Sequence, residues 1–173
     1  MDMEENNALA KHVGDVLRSR GLKMGTAESC TGGRIANMIT LVPGSSDYFV
    51  GGVVSYSNEV KHHVLGVSKV SLRLHGAVSQ EVVEEMALGA VKVLGCDCAV
   101  ATSGVAGPGG GTQEKPVGTV WIAAAYGKEV VSHCFHFGRA RAENIQSAAD
   151  AALGLLMKML QDNNYQSATR LLF

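Results

Sequence analysis

The sequence of 173 residues lacks the features of membrane proteins and of disulfide-stabilised proteins. It contains no apolar run approaching the roughly 20 residues that a membrane-spanning helix needs. Its four cysteines are too few and too scattered for a disulfide framework. The first stretch, MDMEENNALAKH, is acidic where a signal peptide is positively charged. We therefore expect a cytoplasmic protein with no membrane partner.

The sequence also has little net charge, with 15 basic and 16 acidic residues. It has no block of like charge and no basic stripe interleaved with aromatic residues, so we expect no nucleic-acid partner. The histidines are isolated or point to different sides of their predicted elements, which predicts no metal site. We expect no other cofactor. A ligand the size of a nucleotide is compatible with this composition.

Helical and strand-like segments alternate along the chain. The predicted helices span residues 5–20, 34–42, 58–65, 68–74, 79–95 and 141–160, and the predicted strands span residues 22–28, 49–57, 97–103, 118–126 and 129–137. This order predicts an α/β fold of three layers, α/β/α, with a mixed, mostly parallel sheet and a late antiparallel hairpin. We expect one domain over residues 1–161 and a polar C-terminal tail over residues 162–173.

In such sheets ligands bind where strands end, and the first loop of unusual composition at such a place is AESCTGGR, Ala27–Arg34. Its small residues, with Thr31, Gly32 and Gly33 at the start of a predicted helix, would offer unpaired N–H groups to an anion. Alternatively, Ser29 or Thr31 caps the helix and the glycines only form a turn.

The second such loop, Ser103–Gly118, is rich in glycine and long enough to be a binding loop or a flexible surface loop. It is not a nucleotide P-loop, because Lys115 is followed by proline instead of serine or threonine. Close by, Arg139 and Arg141 stand between the last strand and the last helix. Arginine there can bind phosphate or carboxylate, although solvent-exposed charges at a helix start explain the pair equally well.

The third loop region is GSSDYFVGGVVSYSNEVK, Gly44–Lys61, which carries a serine, a tyrosine and a lysine around an apolar strand. Ser46 becomes a nucleophile only if a base takes its proton, and Lys61 is such a base only if burial lowers its pKa. An irregularity at the Gly51-Gly52 pair would have to bring the two together, with Tyr56 relaying the proton. The alternative is a surface Lys61 and a core Tyr56.

Several of these segments together resemble the carboxyl-terminal domain of the CinA family. The resemblance spans about Leu9 to Leu160 and rests on TAESCTGG, PGSSDYFVGGVVSYSNEVK, LHGAVS, SGVAGPGGG and EKPVGTVW. The family is associated with nicotinamide-nucleotide amidohydrolase activity. Longer CinA proteins carry a further amino-terminal domain for which this chain has no room, so the resemblance implies the stand-alone form, a nicotinamide mononucleotide deamidase.

The resemblance implies hydrolysis of the carboxamide of nicotinamide mononucleotide, giving nicotinate mononucleotide and ammonia in pyridine-nucleotide salvage. It assigns Ser46 as nucleophile, Lys61 as general base and Tyr56 as the residue that positions or relays the proton. Ser29 and Ser45 are rivals for the nucleophile. The alternative function is a non-catalytic nucleotide-binding or competence- and damage-linked interaction domain.

The implied partner is a small nucleotide substrate, and either glycine-containing loop could hold its phosphate. The expected substrate-binding residues are Ser29, Thr31, Gly32, Gly33, Ser45, Asn58, Ser103, Gly104, Ala106, Gly107, Arg139 and Arg141. We also expect a homo-oligomer, since the small and apolar residues of Ala148–Leu156 are typical of a helix that pairs with another copy, although a buried core helix has the same pattern.

Overall fold

The structure is a computed structural model that describes the backbone of residues 7–171 and the side chains of residues 7–162. Within that part of the chain it has six α-helices and five strands. The helices are α1 Ala8–Arg20, α2 Arg34–Thr40, α3 Asn58–Leu65, α4 Lys69–His75, α5 Gln80–Leu94 and α6 Arg141–Leu171. The strands are β1 Met24–Glu28, β2 Phe49–Val54, β3 Cys98–Gly104, β4 Thr119–Tyr126 and β5 Glu129–His136.

The strands form one sheet in the order β2-β1-β3-β4-β5. β1 pairs in parallel with both β2 and β3, and β4 pairs antiparallel with β3 and β5, so four of the five strands run in one direction. The predicted mixed, mostly parallel sheet and its late hairpin are confirmed. The chain leaves β1 towards one side to form β2 and later crosses to the other side to form β3. This makes the gap between β1 and β3 a switch point, where α/β proteins bind ligands.

Each face of the sheet is covered by a separate core, which confirms the three-layer architecture. In β3, Val100 belongs to the core shared with α1, α2 and α6, whereas its neighbours Ala99 and Ala101 belong to the core shared with α5. This alternation is the two-residue period of a strand that is buried on both faces. The alanines on the second face leave room for α5 to lie close to the sheet, where it contacts all five strands.

The last helix is buried in its middle and extends beyond its predicted end. The segment Ala148–Leu156 is mostly buried in the first core, so its apolar pattern is explained within the chain, and a homo-oligomer stays a prediction. The predicted domain boundary at residue 161 falls inside α6, which continues to Leu171. Residues 172–173 and residues 5–6 of the predicted first helix lie outside the described residues. No helix within residues 7–171 has the length and apolar character needed to cross a bilayer.

Serine and glycine set the ends of the helices beside the sheet. Ser57 caps α3 through a hydrogen bond from the Val60 N–H at 3.2 Å, and Ser79 caps α5 from the Val82 N–H at 3.3 Å. α3 ends at Gly66, which adopts a φ of 73° that glycine tolerates best. These local signals explain why α3 was predicted with its observed bounds.

A glycine in the middle of α5 allows that helix to touch the end of α3. A Cβ atom built on Gly89 would lie 2.0 Å from the carbonyl oxygen and 2.9 Å from the carbonyl carbon of Leu65. Both atoms belong to the backbone and cannot rotate away. Gly154, in the middle of α6, has nothing within 4 Å of its equivalent position.

We predict that Gly89→Ala lowers the free energy of unfolding by about 1–3 kcal/mol, because the new methyl group forces α3 and α5 apart. The matched change Gly154→Ala should raise it by up to about 1 kcal/mol, through the better helix propensity of alanine alone. Urea denaturation followed by circular dichroism measures both values. Equal effects of the two substitutions would show that the close approach of α3 and α5 has no energetic consequence.

Candidate active site

The carboxyl ends of β1, β2 and β3 meet at one edge of the sheet around a cavity of about 310 Å³. This volume lies at the lower end of the range of about 300–1,000 Å³ that is typical of small-ligand sites. The cavity is lined by the end of β3, the loops after the three strands, the first turn of α3, the loop between α4 and α5, and the start of α6. The lining residues are Ser29, Cys30, Tyr56, Asn58, Lys61, Ala77, Val78, Ser103, Gly104, Val105, Ala106, Gly107, Gly109, Gly110 and Arg141.

Lys61 is the polar centre of this cavity and its side chain is almost completely buried, with 1% of its surface exposed. Its ammonium nitrogen Nζ donates to Ser29 Oγ at 2.9 Å, to the Ser55 carbonyl at 2.8 Å and to the Tyr56 carbonyl at 3.2 Å. The first turn of α3 places Lys61 over the end of β1, and the loop after β2 supplies the two carbonyls. The pair Ser29–Lys61 is therefore built by two adjacent parallel strands.

Burial lowers the pKa of Lys61 from its ordinary value, because the charged form loses its hydration. Among residues 7–162, no acidic side chain pairs with this ammonium group to oppose the effect. A neutral amine has two N–H groups and one lone pair. With both N–H groups donated to the two carbonyls, the lone pair faces the Ser29 hydroxyl, which is the geometry of a base beside its nucleophile.

Ser29 is held at the switch point by backbone contacts. Its N–H donates to the Thr102 carbonyl on β3 at 3.0 Å, and its own carbonyl accepts from the Gly32 N–H at 3.0 Å. The next two N–H groups of the turn, those of Cys30 and Thr31, take no part in the backbone hydrogen bonds of the described residues. Burial raises the pKa of the Cys30 thiol to about 11, so the neighbouring cysteine stays protonated and is a poor nucleophile at neutral pH.

The start of α2, which the sequence offered as an anion site, is already occupied by a side chain of the protein. The Glu28 carboxylate accepts from the N–H groups of Ile35 at 2.9 Å and Ala36 at 3.0 Å, and from the Thr31 hydroxyl at 2.7 Å. Thr31 is buried and, like Gly32 and Gly33, does not line the cavity. The Thr31 side chain and the two glycines are therefore not positioned to bind substrate, and only the backbone N–H of Thr31, close to Ser29, stays available for a contact.

Ser45 and Ser46 lie at the opposite edge of the sheet from Lys61, which corrects the expected approach of Ser46 to that lysine. Both belong to a 3₁₀ turn, Ser45–Asp47, before the first residue of β2, whereas Lys61 follows the last. The six residues of β2 span roughly 20 Å. The predicted irregularity exists as a shift in pairing register between β1 and β2, but a one-residue bulge does not reverse a strand.

The turn that contains Ser46 has a structural explanation at its own edge of the sheet. Arg18 of α1 donates to the Asp47 carboxylate at 3.2 Å and to the Gly44 carbonyl at 3.1 Å, and Lys23 donates to the Asp47 carbonyl. Next to it, Tyr48 is fully buried beneath the Arg18 guanidinium. These contacts attach the turn to α1.

Tyr56 lies at the cavity mouth with 62% of its surface exposed, and only its backbone carbonyl touches Lys61. Its hydroxyl accepts from Arg141 Nη2 at 3.3 Å, and the same guanidinium donates through Nη1 to the Gly107 carbonyl at 2.6 Å. Arg141 thus bridges the loops that follow β2 and β3. This geometry does not place the phenol where it could relay a proton between Ser29 and Lys61.

The other expected binding residues divide between two neighbouring cavities. Asn58, Ser103, Gly104, Ala106 and Gly107 line the cavity of Ser29 and Lys61. Arg139 instead lines a second cavity of about 520 Å³, formed mainly by the loop 108–117, and the two cavities share Gly109 and Gly110. Arg141 and Arg139 therefore line two neighbouring cavities that have Gly109 and Gly110 in common.

The sequence prediction missed three residues of this site: Glu28, Ser55 and Thr102. Glu28 had a recognisable signal, since a carboxylate at the end of an otherwise apolar strand requires buried partners. Ser55 contributes its backbone carbonyl, which no residue type reveals. Thr102 resembles any other polar residue in a strand, and its role depends on the pairing of β1 with β3.

The sequence and the fold of this chain are similar to those of known proteins. A model of the CinA C-terminal domain family matches residues 6–160. The nicotinamide-nucleotide amidohydrolase PncC of Escherichia coli (strain K12) is 47% identical over 156 residues, which cover 89% of this chain and 94% of that protein. The CinA-like protein of Chloroherpeton thalassium is 49% identical over 156 residues, and there the match covers 88% of this chain but only 37% of the relative.

A solved structure agrees with these matches over nearly the whole fold. The competence/damage inducible protein CihA of Agrobacterium tumefaciens superposes with a TM-score of 0.87 at 39% sequence identity, over 90% of this chain and 95% of that one. A second, a CinA superfamily protein of Klebsiella pneumoniae 700603, gives the same TM-score at 34% identity. The chain belongs to the CinA C-terminal domain family.

Proposed function

We propose that this protein hydrolyses the carboxamide of nicotinamide mononucleotide to nicotinate mononucleotide and ammonia, a reaction of pyridine-nucleotide salvage. The observation that carries the proposal is the buried hydrogen bond of 2.9 Å between Lys61 Nζ and Ser29 Oγ at the base of a ligand-sized cavity. It is supported by the similarity to a protein named nicotinamide-nucleotide amidohydrolase across almost all of that protein's length.

In the first step, Ser29 Oγ attacks the carboxamide carbon of the substrate while the neutral amine of Lys61 takes the hydroxyl proton. The Ser55 and Tyr56 carbonyls keep the amine pointed at Ser29 and accept hydrogen bonds from the ammonium group that forms. The lowered pKa of Lys61 favours the neutral form that starts the reaction. Ser29 replaces Ser46 as the proposed nucleophile because it is the serine within reach of this base.

The tetrahedral intermediate then collapses with loss of ammonia. Lys61 returns its proton to the leaving nitrogen, which departs as ammonia. The nicotinoyl group stays on Ser29 as an ester. A water molecule enters the place of ammonia and gives a proton to Lys61 as it attacks the ester. As the second intermediate collapses, Lys61 gives that proton to Ser29 Oγ, which restores the hydroxyl and the neutral amine, and the released acid loses its own proton to solvent and becomes nicotinate.

The oxyanion that forms in both steps needs hydrogen-bond donors close to Ser29. The N–H groups of Cys30 and Thr31 follow the nucleophile directly, and the backbone hydrogen bonds of the described turn do not use them. Donors held rigidly in this way stabilise the transition state more than the ground state. We assign the oxyanion to this turn.

The substrate phosphate is proposed to lie on the opposite side of the cleft, near Arg141 and Arg139. The N-terminus of α2 is closed to it, because the Glu28 carboxylate takes the N–H groups of Ile35 and Ala36. Arg141 lines the cavity that contains Ser29, and Arg139 lines the neighbouring cavity, which shares Gly109 and Gly110 with the first. Arginine binds phosphate through several N–H groups at once, and the exposed Tyr56 hydroxyl helps to hold Arg141 in place.

We predict that Ser29→Ala and Lys61→Arg each lower kcat for ammonia release from nicotinamide mononucleotide by about 100- to 10,000-fold. The alanine removes the nucleophile. The arginine keeps the positive charge but does not lose its proton and so provides no base. A coupled assay of ammonia with each purified variant measures the effect.

Ser46→Ala is the matched control and should retain the wild-type rate, since Ser46 is exposed at the other edge of the sheet. Loss of turnover in this control with full turnover in Ser29→Ala would contradict the assignment of the nucleophile. Wild-type protein that binds the mononucleotide without releasing ammonia would instead favour the alternative of a nucleotide-binding or interaction domain.

We predict that kcat/KM rises with pH and reaches a plateau, with an apparent pKa below the ordinary range of lysine. The sign follows from the mechanism, because only the neutral form of Lys61 accepts the proton of Ser29 and burial lowers the pKa of that group. Initial rates between about pH 5 and 10 give the profile. A rate that falls with pH across the same interval would contradict a lysine base.

We predict that Arg141→Ala raises KM for nicotinamide mononucleotide by roughly 10-fold or more, the effect of losing charged hydrogen bonds worth about 1.5–3 kcal/mol. The same variant should treat nicotinamide riboside, which lacks the phosphate, almost as the wild type does. Steady-state kinetics with both substrates separates the two contributions. An equal loss with both would mean that Arg141 supports the loops instead of binding the phosphate.

A further inference from the structure

The most deeply buried acid that the reaction scheme does not use is Glu28, whose side chain has 1% of its surface exposed. It is the last residue of β1 and directly precedes the proposed nucleophile. Its atom Oε1 accepts from the Thr31 hydroxyl and the Ile35 N–H, and Oε2 accepts from the Ala36 N–H. A buried carboxylate is tolerated only with such a set of donors.

These contacts connect the two ends of the turn that carries Ser29. The carboxylate stands before Ser29 in the chain, while Ile35 and Ala36 belong to the first turn of α2 behind it. The Thr31 hydroxyl has one proton, which it donates to Glu28, so its 2.8 Å contact with Thr102 has the Thr102 hydroxyl as donor. The turn is thereby attached to β3 as well.

A side chain at the N-cap position of α2 would not connect the two ends of the Ser29 turn in this way. The residue at the N-cap position of α2 is Gly33, which has no side chain to offer. A serine or aspartate there would satisfy α2 without touching the nucleophile. Here the capping group comes from the neighbour of Ser29, so a single side chain couples the position of α2 to that of the hydroxyl facing Lys61 at 2.9 Å.

We infer that Glu28 is a positioning residue for the reaction: its carboxylate fixes the turn 29–33 between β1, β3 and α2 and so holds Ser29 Oγ against Lys61. This inference rests on the proposed role of Ser29 as nucleophile. Glu28 does not touch the cavity and takes no part in proton transfer. Its contribution is geometric, and a displacement of a reacting group by about 1 Å can reduce a rate about 100-fold.

The test is Glu28→Gln, which keeps the size of the side chain but replaces one acceptor oxygen with an NH₂ group. That group must face at least one of three donors, so one hydrogen bond is lost and the turn shifts. We expect kcat to fall about 100-fold, with KM nearly unchanged because the cavity residues that bind substrate remain. Glu129→Gln, an exposed glutamate on β5, is the matched control and should match the wild type.

A second pair of variants tests the attachment of the Ser29 turn with Glu28 left in place. Thr31→Val removes the hydroxyl between Glu28 and Thr102 but leaves both carboxylate contacts to α2, and we expect about a tenfold loss in kcat. Thr31→Ser restores the hydroxyl and should recover most of the rate. Circular dichroism and thermal unfolding establish that each variant is folded at the assay temperature.

A second readout does not depend on the substrate. Phenylmethylsulfonyl fluoride reacts with activated serines, and mass spectrometry locates the label. We expect labelling of Ser29 to slow in Glu28→Gln by a factor similar to that for kcat. Equal labelling rates in folded wild type and variant, or a change in KM alone, would overturn the inference. Labelling of wild-type Ser29 without ammonia release would refute the proposed substrate but not the role of Glu28, whereas wild-type protein that neither labels nor turns over would refute both.

Discussion

The hydrogen bond from Lys61 to Ser29 is the contact on which the arrangement of the site depends. It requires β1 and β2 to be adjacent, parallel and of such lengths that their carboxyl ends meet at one edge. It also requires α3 to begin directly after β2, which the Ser57 cap ensures, and to lie against α5, which Gly89 permits. A change in any of these local features would move the lysine away from the serine. The pair Ser29–Lys61 is therefore a product of the whole α/β framework rather than of one loop.

Burial of Lys61 has opposite consequences for stability and for reactivity. Below the lowered pKa of the folded state, the lysine is charged in both states and burial of that charge reduces the free energy of unfolding. Between the folded and unfolded pKa values the unfolded chain holds a proton that the folded chain releases, so stability rises with pH. The Ser55 and Tyr56 carbonyls reduce this penalty by accepting from the ammonium group. They also keep the amine oriented when it is neutral. The two apolar cores must offset the part of this penalty that the carbonyls do not remove.

The sequence predicted the fold well because local signals agree with the tertiary structure. Alternating apolar segments, serine caps and glycine stops gave each helix and strand to within a few residues, apart from the start of α1 and the extension of α6.

The site was harder to predict. Spacing alone left open whether Lys61 is buried or at the surface, and the structure shows it buried. The resemblance assigned Lys61 as the base and sought its partner along the chain at Ser46, with Ser29 as a rival. The actual partner, Ser29, is 32 residues away in sequence and adjacent only because β1 pairs with β2. Contacts between strands follow from pairing, which spacing along one segment does not reveal.

The two sides of the cleft around Ser29 differ in charge. At one side the positive end of α2 is neutralised from within by Glu28, so it does not attract a further anion. At the other side Arg141 and Arg139 have no such internal carboxylate among the described residues, and Arg141 makes its contacts to neutral oxygens of Tyr56 and Gly107. This charge distribution agrees with the proposed orientation of the substrate, in which the phosphate lies at the arginines and the amide at Lys61. An uncharged cap would have left a partial positive charge at that helix end and so reduced the difference between the two sides.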